Sequence, residues 1–469
     1  AVRRVLAQLR PDNLLVTLVA KGLATDKTAP IYGTRYGYSE DTGPAYAALR
    51  APPAVAGITL PQPNPYVPAR TTLLPVQPLK LIDEPGLSLF YAQDTEFQRP
   101  LAAHVLRQAV ARAGIDSGEA ADIVLGCGLP QGATGHNIGR TAALEAGFDV
   151  PGVTVNRYCS SSLQTIRMAF HAIKAGEGDV FIAGGVETVS RYMSGASDSA
   201  PNPIFKEPGE RTKLRAQGGQ GPWTPPVGLP DMYIAMGQTA ENVASYTGIS
   251  REDQDRWGVL SQNRAEAAIN AGFFAREIDP VTLPDGTQVS TDDGPRAGTT
   301  YEKISQLKPV FRPNGTVTAG NACPLNDGAA AVVIMSDTKA KELGLTPLAR
   351  IVSTGVSGLS PEIMGLGPIE AVKQALGRAN MAINDVDLYE INEAFAVQVL
   401  GSARALGMDE DRLNVSGGAI ALGHPFGMTG ARITATLINN LQTHDKQFGI
   451  ETMCVGGGQG MAMIIERLS

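Results

Sequence analysis

Cysteine is scarce in this chain: there are four, Cys127, Cys159, Cys323 and Cys454, and none belongs to a CxxC pair. Thiols so few and so widely spaced do not make a disulfide framework or a zinc-ribbon signature; they fit a reducing compartment in which each has its own role. A dominant charge is missing too. Lys and Arg number 39 against 46 Asp and Glu, the formal net charge is -7, and no long basic run occurs. A nucleic-acid groove and an anionic membrane surface are therefore poor expectations, and any anionic ligand must be held by local groups. No uninterrupted apolar run is long enough to span a bilayer, and the opening AVRRVLAQLRPDN turns polar too soon for a signal peptide. A cytoplasmic location is the default expectation, with the missing initiator Met leaving the true start open.

What is present, 43% hydrophobic and 18% charged residues in a chain of 469, describes a globular protein long enough for two or three domains. A seam falls near residue 100. Before it, prolines and tyrosines crowd into PQPNPYVPAR and TTLLPVQPLK, between the strand-like pieces NLLVTLVAK and GLSLFYAQ. From Leu101 onward the chain is rich in Ala and Gly, and helical patterns alternate with strands, as in LAAHVLRQAVARAG followed by ADIVLGC. That alternation predicts an α/β fold with a mainly parallel sheet.

This second region echoes itself. RQAVARAG (107–114) and ADIVL (121–125) resemble KQALGRAN (373–380) and VDLYEI (386–391) at nearly the same spacing. A cysteine-bearing turn, a helix around SLQTIRMAFHAIKAG and the strand DVFIAGG match a glycine turn, the helix ARITATLINNL and the strand IETMCVGGG. Two copies of one βα unit, related by a pseudo-twofold, are the simplest account. The second copy begins with a strand, ARIVSTGV (349–356); the first has only GLSLFYAQ ahead of Leu101, so its opening strand is either substituted or missing, and a missing central strand would be costly.

Four motifs carry chemistry. In VNRYCSSSLQTI, Cys159 sits where a strand meets a helix N-terminus, a place expected to favour the thiolate and depress its pKa. In NVSGGAIALGHPFGMTG (414–430), His424 is wedged between Gly423 and Pro425, which presents its imidazole rigidly; of the five histidines, His136 also lies in a glycine turn, but with a poorer context. In EINEAFA (390–396), Asn392 follows a hydrophobic strand and either caps the next helix or faces the ligand end of an open sheet. In CVGGGQG (454–460), three glycines free backbone N–H groups to meet an oxyanion beside a thiol that can move a proton; as a phosphate loop it lacks both the GKS/T ending and dinucleotide spacing.

Together these motifs, in this order, resemble the thiolase family over about 101–469, with GGVETVSR, MGQTAENVA and TAGNACPLNDGAAA supporting the match between them. The resemblance implies a layered αβαβα arrangement of two similar domains (99–190 with 311–345, and 346–469) and a loop domain (191–310) covering coenzyme A. It implies acyl transfer between CoA thioesters: Cys159 as nucleophile, His424 as its activator, Cys454 as the second acid/base and Asn392 as the holder of a water. Two oxyanion holes are implied, one from His424 and Asn392, the other from the N–H groups of Cys159 and Gly456. Substrate contacts are implied for Met236, Arg296, Cys323, Met364, Ala394 and Phe395, with Lys206, Arg211, Lys213 and Arg215 as further phosphate neighbours or plain solvated charge. No metal or permanently bound cofactor is implied, CoA and acyl-CoA being substrates. A homodimer or homotetramer, and a hydratase/dehydrogenase partner of β-oxidation, follow by the same analogy. Two departures, Cys323-Pro324 in place of Ser-Gly and Ala235 where acetoacetyl-specific members often carry His, point to a degradative 3-ketoacyl-CoA thiolase of broad or longer chain length.

Residues 1–98 resemble something else, the linker region of insulysin-type (M16) zinc peptidases, through LRPDNLLVTLVAKG, LPQPNPYVPA and PGLSLFYAQDTEFQRP. No HxxEH occurs among the histidines, so this foreign α+β extension is expected to be non-catalytic. Two alternatives compete with an active thiolase: an inactive or unstable chimera that keeps the motifs, and a ketoacyl-synthase-like condensing enzyme, against which CVGGGQG argues.

Overall fold

A computed structural model describes residues 101–131, 134–189, 201–218, 221–283 and 285–469, together with four strands before them. The chain divides into two compact units, Ala1–Gln93 and Asp94–Ser469. In the first, Lys27–Thr28 pairs with Arg35–Tyr36 and Leu79–Glu84 with Leu87–Tyr91, both antiparallel; the rest of the foreign extension lies outside the described residues.

The second unit is built on two sheets. One comprises β1 (Asp122–Gly126), β2 (Gly152–Val155), β3 (Val180–Glu187) and β4 (Gly328–Met335) in the order β4-β3-β1-β2. The other comprises β5 (Ala349–Gly358), β6 (Leu388–Ile391), β7 (Phe448–Val455) and β8 (Gln459–Arg467) in the order β5-β8-β7-β6, extended by a parallel bridge from Tyr389 to Leu413. Within each sheet the strands run parallel except where β3 meets β4, and where β8 meets β7 and β5.

Helices fill three layers. On the outer face of the first sheet, α1 (Leu101–Ala113) buries Ala102, Leu106 and Val110, a single helical stripe, beside α2 (Ile138–Ala146). Next along the chain are α3 (Ser161–Ala175), α4 (Lys206–Ala216), α5 (Met236–Thr247), α6 (Arg251–Asn270), α7 (Gly367–Ala379), α8 (Ala396–Leu406) and α9 (Thr429–Thr443). Helices α7 and α8 cover the outer face of the second sheet, packing Ala371, Val372, Val397 and Leu400 into one core. Between the sheets lie α3 and α9, whose Leu163, Ile166, Ile433 and Leu437 join Met461, Met463 and Ile465 of β8 in a shared middle core. Their N-termini cross so closely that a Cβ at Gly430 would stand 2.3 Å from the Leu163 nitrogen, which excludes any larger residue there. The result is the layered αβαβα arrangement.

The internal echo is real in space, with α1, β1, α3, β3 and β4 repeated as α7, β6, α9, β7 and β8. It also corrects the place of the missing strand. In the second copy β5 lies at the sheet edge, antiparallel to β8. The vacant position of the first copy is therefore the outer edge of β4, not the sheet centre, and among the described residues no strand pairs there. Burial records the difference: Met461 to Ile464 of β8 are fully buried, whereas every residue of β4 is only half-buried. No helix among the described residues is long and apolar enough to cross a membrane.

Candidate active site

The turn carrying Cys159 is made by polar groups, not by apolar packing. Tyr158 adopts φ +43°, and its N–H is accepted by Asn156 Oδ1 at 2.8 Å. Ser161 closes the turn by donating from Oγ to the Tyr158 carbonyl (2.7 Å) while accepting from the Arg157 N–H (2.9 Å). The polar residues around Cys159 are thus the scaffold of a tight elbow between β2 and α3. Cys159 itself is 6% exposed. Contrary to expectation its thiol is pushed up to about 11: burial dominates, and hydrogen bonds from the backbone N–H groups of Gly456 and Cys159 offset it only in part. A helix N-terminus favours a thiolate, but drying the thiol costs more than the helix end returns.

The N–H of Gly456 comes from the turn that joins β7 to β8. In that hairpin Cys454 lies opposite Gly460, and Gly457 and Gly458 take φ values of +76° and +82°, which glycine alone adopts without strain. A Cβ on Gly458 would also meet the Leu359 carbonyl at 2.2 Å. Cys454 is fully buried and its thiol is raised well above the ordinary range by burial, then by the neighbouring thiols Cys159 and Cys323, whose ionisation would compete with its own. Cys323 is pushed up to about 12, by burial and then by Cys159. Three thiols therefore sit within electrostatic reach of one another, each held neutral.

His424 follows the short helix Ala419–Leu422. Its N–H is donated to Asn326 Oδ1 at 3.0 Å. Its Nδ1 is 2.7 Å from Thr429 Oγ1 and its Nε2 is 3.2 Å from Asn392 Nδ2. The Thr429 hydroxyl has a single proton, given to the Pro425 carbonyl at 2.9 Å, so it accepts from Nδ1–H, and Nε2 keeps its lone pair for the Asn392 amide. Burial, then the charge of Arg432, lowers His424 to about 3, so the ring is neutral. Asn392 caps nothing: α8 begins at Ala396, the Asn392 carbonyl accepts from Gln398 Nε2 (3.1 Å), and its buried Oδ1 has no partner.

Two buried carboxylates that the sequence reading left without a role tie these pieces together. Glu187, at the end of β3, accepts from the N–H groups of Gly128 (2.8 Å), Leu129 (3.1 Å) and Gly427 (2.8 Å), binding the loop after β1 to the one after His424. Glu393 accepts from Trp257 Nε1 (3.1 Å), Ser261 Oγ (2.6 Å), Asn414 Nδ2 (2.9 Å) and the Ile420 N–H (3.1 Å). A charged residue closing an otherwise apolar strand, as in VFIAGGVE, was the signal available for Glu187.

The remaining candidates divide. Cys323 donates its N–H to the Ala394 carbonyl (3.1 Å), and Ala322 bridges Phe395, so CPL and EAFA lie side by side. Phe395 makes an edge contact with Phe311 at 6.3 Å. Met364 is 1% exposed, and with half-buried Met236 it packs into the core under α7 and α8. Arg296 is exposed, its N–H on Gln262 Oε1 at 2.8 Å. On α4, Lys213 pairs with Glu210 (2.7 Å), Arg211 stands 3.7 Å from Glu362 and Arg215 reaches the Gly221 carbonyl (3.1 Å). Lys206 and Lys213 border a cleft of about 530 Å³ with Phe205 and Tyr233. No group of three or more potential metal ligands occurs among the described residues.

Two family models cover this unit: "Thiolase, N-terminal domain" matches 92–338 and "Thiolase, C-terminal domain" matches 345–467. A third, "Middle or third domain of peptidase_M16", matches 1–113. An acetyl-CoA acetyltransferase of Cupriavidus necator is 45% identical over 376 residues, spanning 78% of this chain and 93% of the relative. A β-ketoadipyl-CoA thiolase of Acinetobacter baylyi is 44% identical over 79% of this chain and 92% of its own. A 3-ketoacyl-CoA thiolase of Bacillus subtilis is 41% identical over 78% and 92%. The crystal structure of the Bacillus anthracis acetyl-CoA acetyltransferase superposes with a TM-score of 0.69 at 41% identity, covering 80% of this chain and 93% of that one.

Proposed function

The chain belongs to the thiolase family, and from that premise we propose that it cleaves 3-ketoacyl-CoA by thiolysis, or runs the reverse condensation, through an acyl thioester on Cys159. The observation that carries the reading is the protonation pattern of the site: two buried neutral thiols and a neutral imidazole with an unprotonated Nε2. Nε2 takes the Cys159 proton as sulfur attacks the 3-keto carbon. The bond between C2 and C3 then breaks, its electron pair passing to C2, and the Cys454 thiol supplies the proton that makes acetyl-CoA. A second CoA thiol removes the acyl group. Once protonated, Nε2–H serves one oxyanion with a water on Asn392, and the N–H groups of Gly456 and Cys159 serve the other.

On this reading Met236, Cys323, Met364, Ala394 and Phe395 shape the acyl and pantetheine end, Arg296 meets the nucleotide, and 191–310 forms the cover over CoA. Relatives named for acetyl, 3-ketoacyl and β-ketoadipyl substrates are 45%, 41% and 44% identical, too even a spread to select a chain length. The departures at Ala235 and Cys323-Pro324 support a degradative, broader enzyme. A homodimer or homotetramer in the cytoplasm, working beside the β-oxidation hydratase/dehydrogenase, completes the proposal.

The deciding experiment is intact-mass detection of an acetyl adduct on Cys159 after incubation with acetyl-CoA, alongside acetoacetyl-CoA thiolysis. Cys454→Ser should keep the adduct and lose most carbon–carbon cleavage; unchanged turnover in that variant would sink the assigned role. The outer edge of β4, unpaired among the described residues, is the one observation favouring an inactive chimera. That reading requires no adduct at all.

A further inference from the structure

Helix α3 begins at the nucleophile turn, and its other half borders a second cavity. Arg167, Phe170 and His171 of α3, Ser353 and Thr354 of β5 and Arg378 of α7 line about 350 Å³. At 1.5 Å per helical residue, Arg167 and His171 lie roughly 12–18 Å along the axis from Cys159, so this is not the thiol site. Strand β5 carries its irregularity here, the register slipping between Ile351 and Ser353, and such bulges re-aim neighbouring groups.

Both arginines are pinned by one residue. Arg167 Nε donates to Thr354 Oγ1 at 3.2 Å, and Arg378 Nη1 donates to the Thr354 carbonyl. Thr354 is only 4% exposed, which makes it a rigid anchor. Neither guanidinium has an ion pair with any carboxylate of the described residues, whereas Arg251 pairs with Asp255 and Arg211 with Glu362. Instead they face positive charge. Arg167 is held below its ordinary range by burial and then by Arg157 and Arg378, and His171 by burial and then by Arg167 and Arg378. A partly desolvated guanidinium is ordinarily paired; here half-buried Arg167 and exposed Arg378 border one cavity with no ion-paired carboxylate among the described residues.

We propose that this cavity is a second, non-catalytic anion site that takes a phosphate group between Arg167 and Arg378. The planar fork of arginine matches tetrahedral oxyanions bidentately, and a dianion removes the repulsion between the two side chains. The phosphate is either free or carried by a small phosphomonoester.

Calorimetry and thermal unfolding of the full chain test this, with inorganic phosphate in one arm and glycerol 3-phosphate in the other, at ionic strength fixed with chloride. Saturable binding of either probe that weakens at least tenfold in Arg167→Gln/Arg378→Gln, with thiolysis within twofold of the unaltered protein, is the expected result. If the double variant does not fold, Arg378→Gln alone, at an exposed position, must still weaken binding. A response matched by chloride, or one that survives both substitutions, overturns the site. So does a change in sedimentation on substitution with no phosphate response, which would assign this face to a second copy of the chain.

Discussion

Asn392 Nδ2 lies 3.2 Å from His424 Nε2, a contact that leaves the imidazole its lone pair and aims that lone pair at an amide, not at a carboxylate. The neutral ring needs this choice. A carboxylate there would stabilise imidazolium and fill the position that must accept a proton.

Asn392→Ala is accordingly expected to lower thiolysis about a hundredfold with little change in fold. Asn392→Asp should do more: it raises the His424 pKa from about 3, so an acid limb should enter the pH–rate profile between pH 4.5 and 8, where the unaltered ring stays neutral. Rates measured across that range on both variants decide it, and an Asp variant with an unshifted profile would contradict the role given to the pair.

Cys159 is a protonated thiol at rest. Alkylation by iodoacetamide, followed by mass spectrometry at that residue, should climb with pH towards about 11. A plateau reached below pH 8 would mean that the helix end, or His424, prevails over burial.

Glu393 accepts four hydrogen bonds from three separate segments. Glu393→Ala strands those donors in a dry interior and should cost about 3 kcal/mol or more, read from urea unfolding. Loss of less than about 1 kcal/mol would show that the neighbours re-pair.

Glu451 carries its own sign of pH dependence. The Thr434 hydroxyl lies 2.7 Å from both the Gly430 carbonyl and Glu451 Oε1, so its one proton serves two acceptors and is weak compensation for a buried carboxylate. Burial pushes Glu451 up to about 8, above its ordinary 4.5. Between those values the folded chain holds a proton that the unfolded chain has released, so this contribution favours folding below about 4.5 and is lost as pH rises through about 8. Glu451→Gln keeps the neutral state, and its Tm relative to the unaltered protein should grow from pH 5 to pH 8.5. A constant difference would remove the buried acid from the account.

Much of this was legible in the chain because the informative residues are locally abnormal: a polar run beside Cys159, glycines crowding His424 and Cys454, and a helix–strand block that occurs twice. What could not be read is whatever depends on burial or on distant partners. The Cys159 pKa ran opposite to its helix-end position because sequence does not display desolvation. Glu187 and Glu393 looked ordinary because their donors come from residues 128, 257, 414 and 427. The repeat revealed that a strand was absent but not where, since strand order in a sheet is not contained in spacing.

The open edge bears on how the protein is made. Strand β4 reads GAAAVVIM, with no charged side chain, no proline and, among the described residues, one unpaired edge. Such an edge is a template for any extended chain that reaches it first. Refolding is then a race between closing this edge and capture by another molecule, so recovery should fall with protein concentration even when every group around Cys159 is intact.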